Sequence, residues 1–391
     1  MTSRIRHILV AIRDLHHAPR SELHKAAALA RAAGATLELY HAIEGPDPGI
    51  GWPETASAEE VARQRSALAE SCARRLLRLA CYESLQGLSV RCTSSWDYPA
   101  HEAIVRRALT IDADLVIAAT RHHLPGARLV LRNTDWELIR HCPLPLLLVK
   151  SAREYRNPAI LAAVDPFHAH ARPADLDARL LDAGKSYAQL LGGTLHVFHS
   201  HMPLLNTAMV PLGATPLLTI PPEVEETHGR QIGEEIDRLA AKAGVPRACR
   251  HVQMGDVAGE LAAVARRTRA ELVVMGAVSR SALKRLFIGN AAERVLDRLG
   301  CDVLIVKPRG FKSGVERRPV IDVASSAVVT ALRADGGAIR ATVSGSDGVY
   351  SFGDLSPAEW TLSAEPRGPP VAPGACGSRT CAAAKSSGAP G

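Results

Sequence analysis

Aromatic residues are scarce: Phe, Tyr and Trp make up only 4% of 391 residues. Proteins that hold single-stranded nucleic acid stack bases on aromatics within a basic groove, so that class is set aside. Charge of one sign is not in excess either. Forty-seven Lys and Arg face 40 Asp and Glu, and the net +7 is scattered along helices such as "CARRLLRLACY" (72–82). No apolar run approaches the ~20 residues of a membrane span. The basic start "MTSRIRHILVAIRD" is followed by no apolar core of a signal peptide and reads as a strand. A cytoplasmic protein with no membrane contact is the expectation. The eight cysteines (Cys72, Cys81, Cys92, Cys142, Cys249, Cys301, Cys376 and Cys381) form no Cys-x-x-Cys. Dispersed in this way they read as buried free thiols, not as a disulfide frame. Neither a Gly-x-Ser-x-Gly elbow nor a Walker lysine occurs, so no catalytic constellation is encoded and the expectation is a protein that is not an enzyme.

What is present is a repeat. "DLVIAATRHHLPGARLVLRNTDWELIRHCPLPLLLVK" (114–150) aligns without a gap on "ELVVMGAVSRSALKRLFIGNAAERVLDRLGCDVLIVK" (271–307), an offset of 157 residues. Upstream, "HILVAIRD" (7–14) matches "AILAAVDP" (159–166), and "GATLELYHA" (34–42) matches "GGTLHVFHS" (192–200). Residues 1–150 and 151–308 are two copies of one unit. In each, short apolar strands alternate with helices in the order β-α-β-α-β-α-β-α-β. That pattern predicts an α/β fold of two tandem doubly wound parallel sheets, covered on both faces. Ligands of such sheets bind outside the carboxyl ends of the strands, where the strand order reverses.

Gly276-x2-Ser279-x9-Gly289-Asn290, followed by "AAERVLDRLGCDVLIVKP", resembles the signature of the universal stress protein family. The tandem arrangement and the segment "TDWELIRHCPLPLLLVK" look most like the family's E-type tandem members. The resemblance covers nearly all of residues 1–308 and implies a Rossmann-like, adenine-nucleotide-binding fold and a role in stress response. ATP-binding members carry Gly-x2-Gly-x9-Gly-Ser/Thr, with an Asp after the first strand that contacts the nucleoside; Asp165 stands in that place. The chemistry of the motif is direct. Gly276 ends a strand with no Cβ in a ligand's way. Gly289 and Asn290 open a helix whose free N–H groups favour an anion, and Arg280 or Lys284 adds charge. The bland reading of the same residues is two tight turns and a helix cap. Ser279 and Asn290 depart from the pattern. In the first copy, Ala119, His122, Arg132 and Arg13 replace Gly276, Ser279, Gly289 and Asp165. That copy is expected to lack the family's ATP site and to pack against the second copy.

The resemblance also implies an intramolecular pseudo-dimer through the last strands, "PLLLVK" and "DVLIVK", with a homodimer of chains as a further option. Two other readings of function stay open: a ligand-free interaction scaffold, and an adenine-nucleotide-dependent enzyme. Nine of the 16 histidines cluster at or just beyond the carboxyl ends of strands. Among them, His168, His170, His199 and His201 are candidate zinc ligands, with Asp165 as an oxygen donor. After Pro308 the alternation in 309–366, with turns at "DGG" and "SDG", resembles part of a carboxypeptidase regulatory-like β-sandwich. Residues 367–391 are rich in Pro, Gly, Ser and Ala and read as a disordered tail.

Overall fold

The computed structural model describes residues 5–16, 19–44, 58–120, 133–167, 175–204, 221–276, 290–315, 327–333, 339–343 and 360–366. In the first copy, strands β1 (His7–Ala11), β2 (Thr36–Ile43), β3 (Val90–Trp96), β4 (Leu115–Ala119) and β5 (Leu146–Val149) alternate with helices α1 (Arg20–Ala33), α2 (Ala58–Ala80), α3 (Ala100–Thr110) and α4 (Asn133–His141). The second copy repeats the order. Its strands are β6 (Ala159–Ala163), β7 (Thr194–His201), β8 (Arg250–Met254), β9 (Ala270–Gly276) and β10 (Asp302–Val306). Its helices are α5 (Leu176–Leu191), α6 (Pro222–Lys242), α7 (Val257–Arg267) and α8 (Asn290–Arg298).

The ten strands form one sheet, ordered β3-β2-β1-β4-β5-β10-β9-β6-β7-β8. Every pairing within a copy is parallel, and β5 meets β10 antiparallel. Strands such as "LLLV" and "DVLIV" are buried at every residue, because helices cover both faces. One apolar core lies beneath α1, α2, α5 and α6, the other beneath α3, α4, α7 and α8, and both run through the two copies. The turns repeat too. Gly34 and Gly192 end α1 and α5 at φ +65° and +66°, a conformation that costs a side chain energy and costs glycine little.

The expected pairing of the two last strands is present, and polar groups fasten it. Asp302 is wholly buried. Its carboxylate accepts from Lys150 N and Ser151 N, both at 2.9 Å, and from the Tyr155 hydroxyl at 2.7 Å. Lys25 of α1 lies 3.0 Å from the same carboxylate and 3.5 Å over the Tyr155 ring. The equivalent lysines Lys150 and Lys307 flank the seam symmetrically, and burial pulls both ammonium groups down to about 8.

The thiols are less uniform than expected. Cys72, Cys142 and Cys301 are buried, but Cys92 and Cys249 are half-buried and Cys81 is exposed; all six are free. Cys72 lies within α2 and Cys92 within β3, whereas Cys81 and Cys142 directly follow α2 and α4 and Cys301 directly precedes β10. Cys376 and Cys381 lie outside the described residues. In the C-terminal segment, β11 (Ala327–Arg333), β12 (Ile339–Val343) and β13 (Trp360–Pro366) form an antiparallel sheet in the order β12-β11-β13. Residues 367–391, read as a disordered tail, lie outside the described residues.

Candidate functional site

In the second copy the strand order reverses between β6 and β9. Ala162 stands opposite Val274, so Gly276 comes level with Val164 and directly beside Asp165. The loop after β6 is pinned, since the Asp165 amide donates to Asp177 Oδ1 at 3.0 Å in the first turn of α5. His199, buried on β7, donates from Nδ1 to the Val164 carbonyl at 3.0 Å. The nearer Asp165 oxygen is 3.9 Å from the same nitrogen, beyond hydrogen-bond range. Burial, only partly opposed by the Val164 carbonyl and the Asp165 charge, lowers the His199 pKa and keeps the ring neutral. With Nδ1 protonated, Nε2 is an acceptor. It is buried and finds no donor among the described residues; His201 Nδ1 and Glu225 Oε1 nearby are in the same position. Buried polar atoms without partners mark a site that something else completes.

Gly276 has a different cause from the one its place in the motif suggests. A Cβ there would lie 2.9 Å from Leu176 Cδ2, so the absent side chain admits the start of α5 and not a ligand alone. Asn290 opens α8, as the motif requires. Ser279, Arg280 and Gly289 lie outside the described residues.

The zinc reading finds no support. His168 and His170 lie outside the described residues. The rings of His199 and His201 stack with centroids 6.5 Å apart, and among the described residues they join no group of three ligands. Two of the strand-end histidines have a backbone role instead. His41, the counterpart of His199, bonds the Ile12 carbonyl through Nδ1 at 2.7 Å, as His199 bonds that of Val164. In each copy one histidine fastens the chain leaving the first strand.

In the first copy the corresponding place is filled from within. Arg13, where the second copy has Asp165, ion-pairs with Asp135 in the first turn of α4. Asp135 is fully buried. A carboxylate in that turn takes the favourable position that a helix start offers an anion. The second copy has Ala292 there. Asp135, His228 (whose ring meets His201 edge-on at 6.2 Å) and Glu225 were not singled out by the sequence. Only Asp135 carried a signal, an acidic residue in a helix's first turn.

Comparison with known proteins agrees with this architecture. Residues 4–150 and 159–307 each match the model of the Universal stress protein family. The chain is 27% identical over 239 residues to universal stress protein E of Escherichia coli K12, covering 59% of this chain and 72% of the relative. It superposes on a crystal structure described as a universal stress protein of Pseudomonas aeruginosa UCBPP-PA14 with a TM-score of 0.57 and 26% identity, covering 78% of this chain and 94% of that one. A universal stress protein from Archaeoglobus fulgidus DSM 4304, at 13% identity and TM-score 0.52, shares the fold over 77% of this chain and 98% of its own. Two matched domains, joined at their last strands in one sheet, are what a tandem member presents, and the chain belongs to the universal stress protein family.

Proposed function

We propose that this protein is a stress-response binding module in which the second copy holds an adenine nucleotide such as ATP, while the first copy has closed its own site. The carrying observation is the contrast at equivalent positions. Arg13 and Asp135 neutralise each other in the first copy. The second copy has Asp165 and Ala292 at those positions, so the pair has no counterpart there, which supports a nucleoside and an anion at its switch point. The residues proposed to hold the nucleotide are Asp165, Gly276, Ser279, Arg280, Gly289 and Asn290. Asp165 would meet the nucleoside, and the start of α8 the phosphates. Buried acceptors such as His199 Nε2 support a ligand with donors of its own.

The reading is of a binding protein without catalysis of its own, placed in the cytoplasm; among the described residues no helix is long and apolar enough to cross a membrane. Association of whole chains into a homodimer belongs to the same proposal, with β3 and β8 at the sheet's two ends as the available edges. So does the carboxypeptidase regulatory-like character of the C-terminal sheet. A ligand-free scaffold is the second reading, favoured by Ser279 and Asn290 standing where ATP-binding members carry Gly and Ser or Thr. Equilibrium dialysis of labelled ATP against the full chain separates the two. Retention that Gly289→Val abolishes supports the nucleotide site; no retention by the wild-type chain supports the scaffold.

A further inference from the structure

On the outer helices of the first copy, far along the sequence from the nucleotide motif, three ligand-type side chains converge. His101 stands in the first turn of α3, and Glu137 and His141 share one face of α4 at i and i+4. One donor atom from each lies within 4.8 Å of the others, the one such group of three among the described residues. We infer that His101, Glu137 and His141 bind a divalent transition-metal cation of borderline softness, with Zn2+ the first choice.

The geometry is close to what such an ion needs. His141 Nε2 and Glu137 Oε2 are 3.2 Å apart. With bonds of ~2.1 Å to each, an ion between them would subtend an angle of about 100°. The His101 and His141 rings stand 5.6 Å apart at a tilt of 32°, so a small turn of His101 brings its nitrogen to the third position. The carboxylate is already oriented. Arg140 Nη1 takes Glu137 Oε1 at 2.5 Å and leaves Oε2 for the ion, as outer partners of metal carboxylates do. His141 is held from behind. Ser313 Oγ donates to its carbonyl at 2.7 Å, and Gly314 is close enough on the Nδ1 side that an added Cβ would come within 3.5 Å of that nitrogen. That leaves Nε2 facing Glu137. Two imidazoles and one carboxylate, half-buried, are a set for zinc and its neighbours with a coordination position left for water.

The site belongs to the first copy alone. At the 157-residue offset the second copy has Ala258, Arg294 and Arg298. Those two arginines instead reach Asp256, at 3.0 and 3.4 Å. An ion between α3 and α4 would brace the surface over which residues 313–315 leave the second copy. It would thereby tie the tail's point of departure to the first copy.

The test uses the full chain, prepared without an affinity tag and stripped with a chelator. Zn2+ is titrated against a chromophoric chelator, and Co2+ is followed by its visible absorption. One equivalent should bind, and His101→Ala, Glu137→Gln and His141→Ala should each weaken it by at least about tenfold. His196→Ala should change nothing. Zinc should also raise the melting temperature of the wild type and not that of the variants, because only a folded site gains from the ion. Absence of zinc uptake by the wild type, or equal affinity in wild type and His141→Ala, would overturn the assignment.

Discussion

Leu147 pairs with its own counterpart. Across the antiparallel β5–β10 ladder it stands opposite Leu304, the residue 157 positions later, and both are fully buried. The pseudo-twofold axis of the molecule therefore passes between these two side chains. They contribute to the same apolar core, beneath α1 and α5. Leu147→Ala and Leu304→Ala should each cost about 3 kcal/mol in urea denaturation, the usual range for such a cavity. Because the two touch, the double variant should differ from the sum by at least ~0.5 kcal/mol. Strict additivity would mean that the seam is not packed as described.

Arg13→Ala tests the closed site of the first copy. It removes one partner of a carboxylate whose side chain is 1% exposed. Breaking a buried pair from one side costs about 3 kcal/mol, and that much loss of stability is expected. Affinity for ATP should be unchanged. A stability change below ~0.5 kcal/mol would show the pair to be dispensable.

Gly276→Ala separates packing from ligand approach. The new Cβ meets Leu176 Cδ2 at 2.9 Å. Overpacking of this kind costs ~1–2 kcal/mol. Adding Leu176→Ala should recover part of that cost, so that the double variant loses less than the sum of the singles. Independent effects of the two substitutions would contradict the collision.

The neighbouring strands β7 and β8 carry a histidine pair, His196 Nδ1 to His251 Nε2 at 3.1 Å, with stacked rings. Burial, then the charges of His196 and Arg267, lower the His251 pKa to about 4. A base whose folded pKa lies below its unfolded value of ~6.5 binds protons more readily unfolded. Its contribution is complete above that value and is lost as pH falls toward about 4. The urea midpoint of the wild type should therefore drop between pH 7 and pH 4.5, and His251→Gln should flatten part of the drop. A variant that parallels the wild type across this range would exclude the pair as a cause.

Much of the fold was legible because it rests on local patterns. Apolar strands such as "DLVIAA" and "DVLIVK", glycine stops at Gly34 and Gly192, and a gapless repeat carry the topology on their face. Pairings between distant charges were not legible. Lys25 lies in the Ala-rich stretch "HKAAALARAA" and reads as a solvated helix face, yet it is 1% exposed and reaches Asp302, which belongs to the other copy. Arg13 was visible as a departure from the family pattern, but nothing local pointed to Asp135 as its partner. The histidines at strand ends drew attention as ligands, whereas the backbone carbonyls of Ile12 and Val164 that His41 and His199 serve have no sequence signature at all. Likewise the spacing of Glu137 and His141 is readable, but His101 joins them only because α3 and α4 pack together.

The central claim is that the chain has one nucleotide site and that it lies in the second copy. Titration calorimetry of the full chain with Mg·ATP tests it most directly, with Asp165→Ala, Gly289→Val and Arg13→Ala as variants. One equivalent of ATP per chain is expected, with binding lost in Gly289→Val, weakened at least about tenfold by Asp165→Ala through the loss of a charge-assisted hydrogen bond, and intact in Arg13→Ala. Two equivalents would show that the first copy binds as well, and binding that survives Gly289→Val and disappears in Arg13→Ala would place the site in the first copy; either result would contradict the account.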